Sequence, residues 1–88
     1  MLTNARSLDL AEDFHRTNDM ALATYLKLQG HTPQAVIWER ATCYWLYRVT
    51  DHLLDSLDDF NESRALVEPK EYNKVFNQTK REFYDTKP

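Results

Sequence analysis

The sequence predicts a small α+β fold: an antiparallel β-hairpin of two strands, with a candidate third strand, covered by three to four α-helices. Three observations lead there. The stretch 36–49 reads Val-Ile-Trp-Glu-Arg-Ala-Thr-Cys-Tyr-Trp-Leu-Tyr-Arg-Val. It is rich in β-branched and aromatic residues, which suit a pleated, half-buried surface. The polar break Glu39-Arg40-Ala41-Thr42 divides it into two short apolar runs, the pattern of a hairpin. One glycine and three prolines leave few special turns and favour helices joined by short links over an all-β sandwich. Finally, a hairpin is marginal in water by itself, and helical patterns on both sides of this one supply its cover.

Taken in order, residues 1–7 are polar and expected to be loosely held. Leu8 and Leu10 alternate, and Phe14 follows, with acidic residues between. A short strand and a helical turn both fit this segment, and Phe14 with its neighbours is the candidate third strand. Thr17-Asn18-Asp19 starts a helix: each side chain can accept a hydrogen bond from a first-turn N–H, and Asp19 suits the dipole there. Ala21, Leu22, Tyr25, Leu26 and Leu28 then recur at helical spacing. Gly30 ends the helix through the left-handed cap conformation, and Pro33 prevents its continuation. The expected span is 18–29.

The hairpin strands are expected over 35–39 and 42–49. Along the second, Cys43, Trp45, Tyr47 and Val49 point one way and Tyr44, Leu46 and Arg48 the other. Thr50 can cap a second helix over 51–62, with Leu53, Leu57 and Phe60 inward and Asp51, Asp55, Asp58 and Glu62 outward. Val67-Glu68-Pro69 opens the last helix, with proline where its missing N–H costs nothing. Tyr72, Val75, Phe76, Thr79 and Phe83 form its inner face, and Lys70, Lys74 and Arg81 its outer face. Residues 85–88 are expected to fray.

Eighty-eight residues make a single domain, 1–88, with a thin margin of stability. Self-association would relieve that, so a homodimer is one expectation. A net charge of −3 gives no global basic field to attract nucleic acid. Cys43 is the only cysteine, which excludes an intramolecular disulfide and a cysteine-based zinc site. There is no signal-peptide pattern and no run of apolar residues long enough to span a bilayer. The expected setting is the cytoplasm, with no membrane association.

One pattern resembles a known family. Phe14-His15-Arg16-Thr17-Asn18-Asp19, then Leu22-Ala23 and Leu26, then Gly30-His31, is similar to the opening of a family of short prokaryotic and phage proteins known only as a domain of unknown function. An aromatic strand at 44–47, an acidic helix at 51–60, the Val67-Glu68-Pro69 turn and the helix from Tyr72 through Phe83 complete the likeness, which covers 12–84. The resemblance implies compact accessory proteins of bacteria and their viruses, in the host cytoplasm if phage-encoded. It implies no activity, cofactor or catalytic residue.

No constellation for catalysis stands out. His15, His31 and His52 are the only histidines; His31 follows a helix-ending glycine and His52 lies in a first helical turn. Cys43 beside a histidine is the remaining formal nucleophile pair. Phosphate-loop, His-Glu-x-x-His and paired-glycine motifs are absent. The chain is therefore read as non-enzymatic, with no catalytic residue, no cofactor and no metal. Asp51, Asp55, Asp58, Asp59 and Glu62 diverge along a straight helix rather than converging on a cation.

The leading functional expectation is a protein-interaction module, a phage or mobile-element accessory protein or inhibitor of a host system. Its candidate residues are Trp38, Arg40, Trp45 and Tyr47 as the anchor and Asp51, Asp55, Asp58 and Glu62 as the steering face. Tryptophan, tyrosine and arginine are enriched where protein partners bind. Spaced carboxylates give electrostatic complementarity, and on a rigid helix they can imitate a phosphate backbone. The alternative is a small nucleic-acid-binding regulator using Lys70, Lys74 and Arg81 on the last helix, whose grip on phosphates would weaken with salt.

Overall fold

The computed structural model describes residues 14–88. The chain runs β1 (Phe14–Thr17), α1 (Met20–Leu28), β2 (Ala35–Glu39), β3 (Thr42–Arg48), α2 (Asp51–Asn61) and α3 (Pro69–Thr86). Phe14 therefore opens a third strand rather than a helical turn, and three helices, not four, stand among the described residues. Leu8 and Leu10 lie outside the described residues, as does the expected looseness of 1–7.

Each element starts and stops for a local reason. Asp19 accepts hydrogen bonds from the N–H groups of Ala21 and Leu22, and Thr50 accepts one from Leu53. Glu68 caps α3 with both carboxylate oxygens, and Pro69 occupies the first turn. Gly30 takes φ +91° just past α1, where a side chain would be strained. The helix ends at Leu28 with Gln29 as cap. α3 holds its hydrogen-bond ladder through Thr86, past the fraying expected at 85.

The three strands form one antiparallel sheet in the order β1-β3-β2, so the most aromatic strand is central. The register pairs His15 with Tyr47, Thr17 with Trp45, Val36 with Trp45 and Trp38 with Cys43. Those residues share the inner face. Cys43, Trp45 and Tyr47 are buried there with Leu22, Ala23, Tyr25, Leu26, Leu53 and Leu57 in one cluster. Val36, Trp38, Phe60 and Phe83 close its edges.

α1 departs from the single-stripe expectation. Five consecutive residues, Leu22–Leu26, are buried, because α1 is packed against both α2 and α3. A polar residue on such a helix needs an internal partner. Thr24 finds one in the carbonyl of Met20 at 2.8 Å, as Thr79 of α3 does in that of Val75 at 3.0 Å.

Candidate functional site

The outer face of the sheet is the first candidate. The same register places Phe14 and Arg16 of β1, Ala35, Ile37 and Glu39 of β2, and Thr42, Tyr44, Leu46 and Arg48 of β3 opposite the core cluster. A one-sided antiparallel sheet is ordinarily polar on its wet face. Here Phe14, Ala35, Ile37, Tyr44 and Leu46, all half-buried, form an apolar and aromatic surface. Its arginines are folded back onto it. The Arg16 guanidinium lies 4.2 Å from the centre of the Tyr44 ring, and that of Arg48 lies 5.2 Å from the centre of Phe14. Arg16 also donates to Glu39 at 3.1 Å. At such exposed positions each contact is worth little in stability, on the order of 0.5–1 kcal/mol. What they do is hold flat cationic groups over a hydrophobic surface.

The second candidate is a cleft of about 280 Å³ at the hairpin tip, lined by Trp38, Arg40, Ala41, Phe83, Lys87 and Pro88. Its floor is aromatic: the Trp38 and Phe83 rings are 5.0 Å apart, and Trp45 stacks behind Phe83 at 6.5 Å. The Trp38 indole N–H donates to Thr86 Oγ at 3.1 Å, fixing the end of α3 to the tip. Arg40 sits at φ +59° in the two-residue turn. That left-handed position normally belongs to glycine, asparagine or aspartate.

Of the anchor residues expected from sequence, the cleft brings together Trp38 and Arg40. Trp45 and Tyr47 are corrected to core residues, each 2% exposed. They alternate onto the inner face of the central strand, beneath the helices. No acceptor stands near the Trp45 indole N–H among the described residues, so packing alone holds that ring. Asp51, Asp55 and Asp58 are exposed as expected. Glu62 is the C-cap of α2, and both it and Asp59 bind Arg64, at 3.5 and 3.2 Å. The acidic face is therefore partly offset at its far end, one arginine standing against two carboxylates. Lys70, Lys74 and Arg81 are exposed, and none is in an ion pair with a described residue.

Phe14, Arg16, Ile37 and Leu46 on the sheet face and Phe83 and Lys87 in the cleft are not among the site residues expected from sequence. Strand alternation pointed to Tyr44, Leu46 and Arg48; nothing local brings the end of α3 to the hairpin tip. Cys43 is 3% exposed, and burial pushes its thiol pKa up, away from the reactive thiolate. His15 lies opposite Tyr47, four positions along β3 from Cys43. Among the described residues no group of three or more His, Cys, Asp or Glu side chains is placed to hold a metal ion. No described helix is long and apolar enough to cross a membrane.

A three-stranded sheet with helices on one face and an arginine–aromatic surface on the other defines a small α+β domain built on a one-sided sheet. The chain belongs to the DUF5659 family, a domain of unknown function, whose pattern matches residues 12–85. No curated protein and no solved structure matches it.

Proposed function

We propose that the chain is a non-enzymatic protein-interaction module that docks a protein partner on the outer face of its sheet. The observation that carries the reading is the set of Phe14, Ile37, Tyr44 and Leu46 on the face that no described helix covers, with Arg16 and Arg48 laid over aromatic rings. Arginine and tyrosine at the centre of a patch are the usual anchors of protein interfaces. The matching partner presents apolar side chains bordered by carboxylates, which Arg48 would meet. The exposed carboxylates of Asp51, Asp55 and Asp58 steer the approach of a partner with a separate basic region. An accessory or inhibitory role in a bacterium or phage, in the host cytoplasm, belongs to the same reading.

The test compares capture of partners from cells of the natural source by the wild-type chain and by Ile37→Lys. Ile37 lies off the core cluster, so the variant is expected to fold, and a circular dichroism spectrum matching wild type checks it. A discrete partner that wild type retains and the variant loses is the expected result. Equal capture by both would reject the outer face as the docking surface.

A second reading rests on Lys70, Lys74 and Arg81, which pair with no described residue and whose alignment on α3 suits a phosphate backbone. The same preparations titrated with oligonucleotides decide it. Binding that falls steeply with salt and disappears in the triple Gln variant would favour a nucleic-acid-binding regulator.

A further inference from the structure

The cleft at the hairpin tip has a chemistry of its own, independent of the sheet face. We infer that it is a binding site for a small aromatic anion: a single flat ring bearing a carboxylate or phosphate group. Four observations converge on this class.

The floor is formed by the Trp38 and Phe83 rings, 5.0 Å apart and tilted by 50°. This is a surface for a flat apolar group. The rim carries two cations, Arg40 and Lys87, and none of the side chains that line the cleft is a carboxylate. The ion pairs among the described residues are Arg16–Glu39, Lys27–Glu82 and those of Arg64, so neither rim cation is paired with a described residue. A volume of about 280 Å³ lies just below the usual range for small-molecule pockets, which limits the ligand to one ring with a short arm. Arg40, finally, occupies a φ of +59° that glycine would take without strain. A long cationic side chain held in that conformation beside a cleft is an outlier of the kind that accompanies a site.

The geometry also orients the ligand. The C-terminal end of α3, whose last carbonyl groups are partly negative, borders the cleft through Phe83 and Lys87. Lys87, the C-cap residue, offsets those carbonyl groups. The anionic group therefore belongs at the Arg40–Lys87 rim, and the ring belongs over Trp38 and Phe83. Arginine suits this task because its planar fork meets both oxygens of a carboxylate or phosphate. Trp38 is already fixed by its hydrogen bond to Thr86, so little side-chain freedom is lost on binding.

The chain has two tryptophans, which provide a direct test. Their indole N–H signals in a ¹H–¹⁵N spectrum report separately on the cleft, through Trp38, and on the core, through Trp45. The probes are phenylacetate and phenyl phosphate, with benzyl alcohol as the uncharged ring and acetate as the ringless anion. Phenylacetate or phenyl phosphate is expected to shift the Trp38 signal saturably. The preferred one of the two identifies the anionic group. Benzyl alcohol and acetate are expected to bind at least about tenfold more weakly, and Arg40→Gln and Lys87→Gln each to weaken the preferred probe by about tenfold, the size of one charge-assisted hydrogen bond. Both substituted residues are exposed, and an unmoved Trp45 signal in each variant certifies the fold. Equal binding of benzyl alcohol, unchanged affinity in both variants, or the absence of any saturable shift would overturn the assignment.

Discussion

Two tryptophans on the same face of the same hairpin have opposite roles. Trp45 lies in the central strand and is 2% exposed, with the helices above it and strands on both sides. Trp38 lies one position from the end of edge strand β2, half-buried, with one side open to the cleft. Trp45→Ala empties a closed site and is expected to cost about 3–5 kcal/mol. A domain of this size has only about 5–15 kcal/mol in total, so the variant should lose a large share of its stability, read as a markedly lower urea midpoint. Trp38→Ala is expected to lose markedly less and to keep a cooperative urea transition. Equal losses in the two variants would place Trp38 in the core as well. Strand alternation in the sequence puts the two rings on one face; it does not reveal which has neighbours on every side.

At the scale of elements, the caps behaved as their residues dictate. Asp19, Thr50 and Pro69 each occupy a helix start, and Gly30 takes the left-handed turn expected of it. The reason is that capping is settled within four residues of sequence. Contacts between elements are less legible. His31, just beyond α1, shares a hydrogen bond of 3.0 Å with Ser56 of α2, and its ring is 4.4 Å from that of His52. Burial and the neighbouring His52 lower the pKa of His31 below its ordinary 6.5, and burial lowers that of His15. Between the lowered values and 6.5 the unfolded chain binds more protons than the folded one. Stability is therefore expected to be complete above about pH 6.5 and to fall as the pH drops below it. The urea midpoint should be lower at pH 5.5 than at pH 7.5, and His31→Gln should reduce the difference. A midpoint that rises on acidification would contradict this.

For the whole molecule, the outer sheet face sets the question of self-association. Two copies paired through that face would bring together two arginines from each, Arg16 and Arg48, against one carboxylate from each, Glu39, a net repulsion strongest at low salt. A contact between the acidic outer side of α2 and the basic outer side of α3 would show the opposite salt dependence. The expectation from light scattering at low salt is a monomer with its sheet face free for a different partner. A dimer that dissociates on adding salt would assign self-contact to α2 and α3. A dimer persisting at both salts would mean that a second copy covers the sheet, and would replace the partner reading.

The sequence by itself determined the α+β class, the hairpin, the three helices with their caps, the alternation of β3 and the likeness to a domain of unknown function. Those features are written in local signals: caps, alternation, and apolar spacing over one or two turns. Tertiary structure alone decided that Phe14–Thr17 pairs with β3, which makes β3 central and turns Trp45 and Tyr47 from candidate anchors into core. It also decided that α1 is enclosed by its neighbours and that the end of α3 meets the hairpin tip. Residues far apart in the chain build both candidate sites: Phe14 with Arg48, and Trp38 with Phe83. Such meetings depend on how whole elements pack, and no short window of sequence contains that information.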